Sequence, residues 1–417
     1  MSSLTLIGAH RAVSELLENR PKSWDVVRFK GLFQRLDRRN VDLTYEMLSL
    51  RSTGEIVARA EMGGRQEPDE ASLPKYLIAE IDDLVVNPMW LIGGGIGVSR
   101  RAGAVSPDYR VFRSRGALLP RFVHQLLRSQ PYLDQYLLYT RAQTTFDRRV
   151  QQPDLDNLPL PVPPLEEQRV IAEYLDRETA RIDTLIEEQQ RLIEMLSERR
   201  VAKVAETLEG HERTQVRRLV DHDRPMTYGI LQCGEPIDGG VVYIGPSDIQ
   251  GEGLSPYRYA LRTTAPEIAS AYRRSVLKGG DVVVSIGPAY GKVAVVSDDL
   301  DGANLTQDTV RLALRPDLVD TRFFVWALLS RQTAEYWDYQ IMGATFRRLN
   351  LGTLARTPIP LPAIHEQRRI AEYLDEQTAK IDTLIAEAER FIELSRERRS
   401  ALITEAVTGQ IDVRGAA

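Results

Sequence analysis

The stretch PVPPLEEQRVIAEYLDRETARIDTLIEEQQRLIEMLSERRVAKVAETLEG, residues 161–210, decides the organisation of this chain because it occurs twice. Residues 360–409 read PLPAIHEQRRIAEYLDEQTAKIDTLIAEAERFIELSRERRSALITEAVTG, and the two stretches align without a gap at an offset of 199. They are identical at 28 of 50 positions, far more than chance gives. The chain is therefore a tandem duplication, and its repeat is a globular region of about 150 residues followed by this segment.

Each copy of the segment has the features of one long helix. Prolines at 161, 163 and 164 favour an extended approach and a helix that begins at Pro164, where a missing N–H costs nothing. Glu166 and Glu167 suit the positive end of the helix dipole, and Gly210 suits the C-cap. Because no Pro or Gly intervenes, we expect a helix of about 45 residues, roughly 67 Å long.

An apolar row at three- and four-residue spacing follows this helix and recurs in the second copy, which predicts a coiled-coil seam. The row consists of Leu175, Ile182, Leu185, Leu192, Leu196, Leu374, Ile381, Leu384 and Phe391. The obvious partner of each copy is the other copy, and a pseudo-two-fold axis would pair them antiparallel, with one globular region at each end. The alternative is two separate surface helices on two separate domains.

The globular regions both have the pattern of mixed, strand-rich domains. We expect a hairpin from 281–287 and 291–297. Further predicted strands are 43–50, 76–86, 109–113, 241–245 and 310–316, and predicted helical stretches are 120–139, broken by Pro131, and 321–337. The ends of the regions also match, TTFDRRV (144–150) against ATFRRLN (344–350).

The predicted fold class is α+β. Two mixed α/β domains are separated by two long helices that form an antiparallel, pseudo-two-fold symmetric coiled coil. The expected boundaries are 1–160 for the first globular domain, 161–212 for the central helix, 213–359 for the second globular domain and 360–417 for the C-terminal helix.

Charge is distributed unevenly along the chain, although the net charge is only −5. Residues 1–160 carry 22 basic and 19 acidic side chains, and residues 213–359 carry 17 and 16. The helical segments are acidic, with 7 basic and 13 acidic side chains in 161–212 and 8 and 11 in 360–417. Charge alone therefore neither proves nor excludes DNA binding. One cysteine and no membrane-length apolar run lead us to expect a soluble protein of a reducing cytoplasm.

Three motifs suggest chemistry, but each has a simpler interpretation. Gly93-Gly94-Gly95-Ile96-Gly97 lacks the Lys-Ser/Thr of a phosphate loop and favours a turn between strands. Asn87-Pro88-Met89-Trp90 resembles the methyltransferase signature Asn-Pro-Pro-aromatic, but the second Pro is absent. Asp221-His222-Asp223 could bind a metal, and an exposed turn is the simpler interpretation. Without a nucleophile–base pair, a nuclease carboxylate cluster or a metal site, we expect a binding protein with no catalytic residues.

The repeated phrase Glu-Gln-Arg-Val/Arg-Ile-Ala-Glu-Tyr-Leu-Asp, followed by Ile-Asp-Thr-Leu-Ile after a proline-rich lead, resembles the specificity subunit of type I restriction–modification systems. The closing ITEAVTGQIDV (403–413) resembles it too. The resemblance implies two target-recognition domains that read a bipartite, asymmetric site on double-stranded DNA. It also implies two methyltransferase subunits as partners, with restriction or translocase subunits in a full complex and no membrane. No cofactor is expected in this chain, and S-adenosylmethionine is expected in the methyltransferase.

Contact candidates follow from the chemistry of DNA, in which Arg reads base edges while Lys and Arg bind phosphates. We predict DNA contacts at Lys75, Arg100, Arg101, Arg113 and Arg115 in the first domain and at Arg273, Arg274, Tyr290, Lys292, Arg347 and Arg348 in the second. For each residue the alternative is a solvated surface charge. For the whole chain the alternatives are a coiled-coil interaction scaffold without DNA specificity and an enzyme with an unrecognised active site.

Overall fold

The structure is a computed structural model that describes residue 13 and residues 16–63, 69–140, 148–342 and 347–413. It divides into two compact units. The first unit combines Met1–Gln189 with Arg390–Ala417, and the second is Gln190–Glu389. Each unit therefore contains one globular domain, the first part of the long helix that follows it, and the last part of the other long helix.

Among its described residues the first unit contains ten short strands, a helical stretch at 16–18, three 3-10 turns and four further short α-helices. The strands are β1 (Asp25–Arg28), β2 (Phe33–Leu36), β3 (Leu48–Leu50), β4 (Ile56–Ala58), β5 (Leu77–Ala79), β6 (Leu84–Val86), β7 (Ile96–Val98), β8 (Gly103–Val105), β9 (Arg110–Ser114) and β10 (Pro159–Val162). The helices are α1 (Phe29–Leu32), α2 (Pro120–Arg128), α3 (Gln130–Tyr139) and α4 (Gln152–Asp156), and the long helix α5 (Leu165–Thr207) begins here.

The central sheet of the first unit is antiparallel, with strand order β2-β9-β6-β7. The remaining strands of this unit form three separate two-stranded sheets, β1-β10, β3-β4 and β5-β8. The helices α2 and α3 pack over one face, where Phe112, Phe122 and Tyr136 are among the fully buried side chains of the main core. The start of α5 packs against the domain through this core, because Ile171 and Leu175 belong to it.

The second unit repeats this plan. Its strands are β11 (Arg213–Gln215), β12 (Thr227–Tyr228), β13 (Val241–Ile244), β14 (Arg262–Thr264), β15 (Val282–Ser285), β16 (Val293–Val295), β17 (Asn304–Leu305), β18 (Thr309–Leu312) and β19 (Pro358–Pro360). Its helices are α6 (Pro266–Ala271), α7 (Thr321–Leu329), α8 (Arg331–Ile341) and α9 (Leu351–Arg356), and the second long helix α10 (Ile364–Thr408) begins here.

The strand order of its central sheet, β12-β18-β15-β16, corresponds element by element to that of the first unit. The pair β11-β19 corresponds to β1-β10. A three-stranded sheet, β14-β13-β17, in which β13 and β17 are parallel, replaces the smaller pairs of the first unit. The shared plan of the two globular regions and the hairpin formed by β15 and β16 are confirmed.

Both predicted helical stretches are divided into two helices at a serine. Ser129 and Ser330 have extended backbones with ψ of 151° and begin the helices α3 and α8. The break in the first stretch was predicted at Pro131, but Pro131 lies inside the first turn of α3, where its missing N–H is harmless. The second stretch was predicted without a break, and the hydroxyl of Ser330, which accepts the N–H of Thr333, explains the new helix start.

The long helices begin and end close to where the sequence places them. The helix α5 starts at Leu165, and the carbonyl of Pro164 accepts the N–H of Gln168. Gly210 and Gly409, just beyond the two helices, have positive φ angles of 79° and 75°, which terminate a helix without steric cost.

Within each unit the two long helices run antiparallel, as predicted. In the first unit Leu175 of α5 shares a core with Ala406 and Val407 of α10. In the second unit Leu374 of α10 shares a core with Val204 and Leu208 of α5. An ion pair between the two helices occurs once in each unit, Asp183–Arg399 in the first (2.9 Å) and Asp382–Arg200 in the second (2.9 Å). The two pairs use the same repeat positions, because Asp382 corresponds to Asp183 and Arg399 to Arg200 at the offset of 199.

The predicted seam is correct in part. Leu175, Ile182, Leu196, Leu374 and Ile381 are buried, whereas Leu185, Leu192, Leu384 and Phe391 are exposed, which corrects the prediction for these four. The buried row continues instead through Ile186, Ala388 and Ile392. Each of the four exposed residues lies one position before an isoleucine of the helix, and one position turns a side chain by about 100° away from the partner helix. The prediction from side-chain size did not include the small Ala388.

Candidate nucleic-acid interface

The first-domain candidates lie on three separate loops or strand ends. Lys75 ends the short 3-10 helix Glu70–Lys75 and is exposed. Arg100 and Arg101 lie in the connection from β7 to β8, and Arg113 and Arg115 lie at and after the end of β9. All five are exposed residues, so their positions are compatible with contact to a large ligand.

Arg113 has a structural partner. Its Nε and Nη2 donate to the two carboxylate oxygens of Asp83 at 2.8 and 2.9 Å, and the side chain of Asp83 is only 2% exposed. This hydrogen-bonded pair raises the pKa of the Arg113 guanidinium above its ordinary value. The second unit has a counterpart, in which Arg224 donates to both oxygens of the buried Asp281 at 2.8 and 2.6 Å. The two buried aspartates hold the same place, directly before the equivalent strands β6 and β15, which indicates that each pair stabilises its domain.

Arg100 and Arg101 line a cleft of about 580 Å³ together with Arg121, His124 and Asp176. Arg101 pairs with Glu61 at 3.2 Å, and the Nε of Arg121 donates to Asp176 at 3.0 Å. Burial, together with the nearby positive charges of Arg128 and Arg100, lowers the pKa of His124 to about 4. His124 is therefore neutral at pH 7, and the positive charge of this cleft comes from its arginines.

In the second domain, Arg273 and Arg274 form an exposed 3-10 turn that a buried arginine holds in place. The guanidinium of Arg311, which is 4% exposed, donates to the carbonyls of Arg274 (2.7 Å), Val276 (3.0 Å) and Pro225 (3.0 Å). Burial lowers the pKa of Arg311, followed by the charge of the neighbouring Arg224. Arg311 therefore fixes the backbone from which the two exposed arginines project.

The other four second-domain candidates lie around the turn between β15 and β16. The hydroxyl of Tyr290 donates to Asp338, and Arg347 lies 3.4 Å from that hydroxyl and 3.5 Å from Asp338. Lys292 donates to the carbonyl of Pro246 at 3.2 Å, and Arg348 pairs with Asp308 at 3.0 Å. The structure thus brings Tyr290 and Arg347 into direct contact and leaves Arg273 and Arg274 on a different loop. The segments 144–147 and 344–346 of the matched ends lie outside the described residues.

The glycine run at 93–97 forms a turn between antiparallel strands β6 and β7, as predicted. It also accommodates Trp90. A Cβ on Gly93 would lie 2.5 Å from the Nε1 of Trp90, and one on Gly95 would lie 2.8 Å from the carbonyl oxygen of Trp90. Gly94 has a φ of 79°, which favours glycine. Trp90 is not among the predicted contact residues, although the residue is 48% exposed.

Gln168, which is not among the predicted site residues, acts as a positioning residue. It is fully buried, accepts the N–H of Leu119 at 2.7 Å, and donates to the carbonyls of Ala117 (2.9 Å) and Pro163 (2.8 Å). This side chain connects the start of α2 to the start of α5.

Gln367 does the same in the second unit. It accepts the N–H of Asp320 at 2.8 Å and donates to the carbonyls of Leu318 (3.0 Å) and Pro362 (2.8 Å). The identical Glu-Gln-Arg of the two repeats was the signal that could have identified both residues.

The residues that the structure describes contain neither a metal-type cluster nor a membrane-length helix. Among them, no group of three or more His, Cys, Asp or Glu side chains is arranged to hold a metal ion. No helix in the same ranges is long and apolar enough to cross a membrane. His222 and Asp223 are exposed in a bend, as the simpler interpretation of that motif predicts.

The chain carries one mixed α/β domain twice, each followed by a long helix, with basic and aromatic side chains on its loops. This is the architecture of a binding protein with two tandem binding domains. The model of the type I restriction modification DNA specificity domain family matches residues 119–195 and 237–391, more than half of the chain, and the chain belongs to this family.

Curated relatives agree with this assignment. The chain is 25% identical over 280 residues to the type I restriction enzyme EcoBI specificity subunit of Escherichia coli, covering 60% of this chain and 58% of that protein. It is 24% identical over 300 residues to the type I restriction enzyme MjaVIII specificity subunit of Methanocaldococcus jannaschii, covering 68% and 69%. The match thus spans less than two thirds of the EcoBI subunit.

Solved structures show the same fold. A chain from a structure concerned with complex assembly and conformational transition of the type I R-M system is 18% identical, with a TM-score of 0.76, covering 94% of this chain and all of that one. The HsdS subunit from Thermoanaerobacter tengcongensis is also 18% identical, with a TM-score of 0.57, covering 94% of this chain and 98% of that one.

Proposed function

We propose that this chain is the non-catalytic DNA sequence-recognition subunit of a type I restriction–modification complex. Its globular regions, 1–160 and 213–359, act as target-recognition domains and each read one half of a bipartite, asymmetric site on double-stranded DNA. The chain directs methyltransferase subunits, and restriction subunits where they are present, to that site. A cytoplasmic location follows from this DNA substrate, and S-adenosylmethionine is bound by the methyltransferase.

The observation that carries the proposal is the contrast between the two kinds of repeat. The helical segments are identical at 28 of 50 positions, whereas the globular domains share strand order but present different loops. A common frame with divergent surfaces supports the recognition of two different half-sites. Together with the family assignment, it favours DNA recognition over a scaffold without DNA specificity.

The long helices support a role in binding the methyltransferase. Their segments are net acidic and should avoid phosphate. Each unit also exposes three large apolar side chains on its helical parts. They are Leu185, Phe391 and Leu394 in the first unit and Leu384, Leu192 and Met195 in the second, which occupy the same repeat positions in that order. Exposed apolar sets of this kind favour protein partners. Because the set occurs once per unit, we propose two methyltransferase subunits.

Methylome sequencing of a host with and without this gene tests the proposed function. Loss of one bipartite adenine-methylation motif on deletion is the expected result. An unchanged methylome in a host whose methyltransferase partner is expressed would refute the proposal. If the reconstituted complex binds no DNA while the chain still binds its protein partner, the scaffold alternative is correct.

The predicted contact residues are tested in the assembled methyltransferase. We expect Arg101→Ala and Lys292→Ala to weaken DNA binding and to reduce the salt dependence of the affinity by about one phosphate contact each. Lys380→Ala, on an exposed part of the acidic helix α10, is the matched control and should leave both quantities unchanged. If both test variants bind DNA with the affinity and salt slope of the wild type, these residues do not belong to the interface.

A further inference from the structure

The hairpin between the last two strands of the central sheet carries an aromatic residue in both domains. The turn after β6 reads Asn87-Pro88-Met89-Trp90, and the turn after β15 reads Gly287-Pro288-Ala289-Tyr290. The strands β6-β7 and β15-β16 hold equivalent places in the two sheets. Two turns with the same Pro-x-aromatic sequence therefore occur at the same place in domains whose loops otherwise differ.

The first hairpin tip, residues 87–95, holds its aromatic residue rigidly. The N–H of Asn87 donates to the carbonyl of Gly95 at 2.7 Å, and the N–H of Gly95 donates to the carbonyl of Trp90 at 2.9 Å. The side chain of Asn87 accepts the N–H of Met89 at 3.1 Å. These bonds preorganise a turn whose two large apolar side chains, Met89 (45% exposed) and Trp90 (48%), face solvent. Burial of such side chains by a ligand is favourable.

The second hairpin tip, residues 286–292, is held by different contacts. The hydroxyl of Ser285 donates to the carbonyl of Ala289 at 2.7 Å and accepts the N–H of Lys292 at 2.9 Å. Gly291 has a φ of 87° and packs near the Trp337 ring, where a Cβ would lie 3.2 Å from it. Tyr290 is anchored through its hydroxyl to Asp338. Tyr290 is partly buried against the core of the second unit, whereas Trp90 is exposed, so the two domains hold an aromatic ring at the same tip through unrelated contacts.

A pair of arginines lies beside each tip. Val150, which follows Arg148 and Arg149, donates its N–H to the carbonyl of Pro88 at 2.9 Å. Arg149 lies 3.9 Å from Asp108, a carboxylate in the loop before β9. This fixes the two arginines next to the first tip.

The second domain repeats this contact. Leu349, which follows Arg347 and Arg348, donates its N–H to the carbonyl of Ile286 at 3.0 Å. Arg348 pairs with Asp308 in the loop before β18 at 3.0 Å. These ion pairs are largely exposed and therefore worth little, so the arginines can exchange a carboxylate for a DNA phosphate at small cost.

We propose that the two hairpin tips are the base-contacting elements of the two domains. Trp90 and Tyr290 contact base edges of double-stranded DNA, one in each half-site, while the pairs Arg148–Arg149 and Arg347–Arg348 bind the flanking phosphates. Rigid aromatic rings contact the thymine methyl group or wedge between base steps, and adjacent arginines fix the register. This inference rests on the proposed function and names the residues that determine specificity.

The experiment uses the reconstituted complex and a host that expresses each variant in place of the wild-type gene. Methylome sequencing should show that Trp90→Ala makes one half of the bipartite motif degenerate, while Tyr290→Ala makes the other half degenerate. On a 40-bp duplex carrying the wild-type motif, each variant should lose about 5- to 100-fold of its discrimination against a mismatched half-site. Trp90→Phe, which keeps an aromatic ring, should retain most of it.

Two matched controls lie outside the tips. Ile81→Ala changes an exposed apolar residue of the first domain (61% exposed), and Tyr259→Ala changes an exposed aromatic residue of the second (87%). Both should leave the motif unchanged. The double variants Arg148→Ala/Arg149→Ala and Arg347→Ala/Arg348→Ala should each lower the salt slope of DNA binding by about two phosphate contacts without altering the motif.

The outcomes separate the two levels of the proposal. If the wild-type complex directs methylation to no bipartite motif, the proposed function itself is wrong. If the wild type has such a motif and folded Trp90→Ala and Tyr290→Ala variants methylate it unchanged, only the role of the tips is overturned. Simultaneous loss of both halves in a single variant also overturns it, because that result indicates a structural role. Thermal unfolding of each variant shows whether it is folded.

Discussion

Replacing the buried glutamine at the start of each long helix should destabilise one unit at a time. Gln168→Ala removes the acceptor of the Leu119 N–H and the donor to two carbonyls, all within 2.9 Å in the native protein. A buried polar group left without a partner costs about 1–3 kcal/mol. Because water can enter the space left by the side chain and satisfy some of these groups, we expect a loss of about 3 kcal/mol in the free energy of unfolding.

Urea unfolding measures this loss with tryptophan fluorescence in each unit. Trp24 is buried in the first unit, and Trp326 and Trp337 are buried in the second. Gln168→Ala should shift the Trp24 transition, and the equivalent substitution Gln367→Ala should shift the Trp326 and Trp337 transition by a similar amount. Gln190→Ala, at an exposed position of α5, is the control and should change stability by less than about 0.5 kcal/mol.

Gln168→Glu makes the test more specific. The glutamate keeps an acceptor for Leu119 but cannot donate to Ala117 or Pro163, and it places a carboxylate in a fully buried position. We therefore expect it to be at least as destabilising as alanine at pH 7. A loss below about 1 kcal/mol for both Gln168→Ala and Gln367→Ala would refute the reasoning, since three short hydrogen bonds would then contribute almost nothing.

Three further predictions concern individual contacts. Asp83→Asn should weaken the pair with Arg113 and lower the free energy of unfolding by about 2 kcal/mol, whereas Asp37→Asn, at a 68% exposed side chain, should be neutral in the same urea titration. Gly97→Ala should lower the free energy of unfolding by about 3 kcal/mol or more, because the added Cβ would lie 1.9 Å from the carbonyl oxygen of Gly54. Gly63→Ala is the control in thermal unfolding, since no described atom outside its neighbouring residues lies within 4 Å of its added Cβ. The pKa of His124 is lowered from 6.5 to about 4, so its contribution to the free energy of unfolding is fully present above pH 6.5 and is lost as the pH falls toward 4. His124→Gln should therefore flatten the curve of unfolding free energy against pH between these values. An unchanged curve would contradict this prediction.

Local chemistry predicted the ends of the long helices well. Pro164 and Gly210 act through backbone geometry that their own identity determines, so the limits of α5 can be read without knowledge of the fold. The antiparallel pairing could also be predicted, because two copies of one helix, identical at 28 of 50 positions, can bury the same apolar row against each other about a two-fold axis. The hairpin around residues 281–297 was equally predictable, since two valine-rich runs that flank Pro288 and Gly291 are local signals.

Features that depend on distant partners could not be predicted. Whether Ala388 or Phe391 is buried depends on where the other helix lies, and size alone favours the wrong residue. Gln168 is one polar residue among many on its helix until Leu119, 49 positions away, provides a donor. Arg113 was a DNA candidate by its charge, but the buried Asp83 on a neighbouring strand gives it a structural partner.

The discontinuity of the first unit has a consequence for how the protein is made. Its main core includes Trp24 near one end and Ala406, Val407 and Val413 near the other. A ribosome must therefore synthesise nearly four hundred residues after Trp24 before this core can close, whereas the second unit, Gln190–Glu389, is complete earlier. During translation the later-encoded unit can fold first, and the nascent first domain exposes part of its apolar surface until the final turns of α10 emerge. We expect the nascent chain to depend on chaperones during this interval.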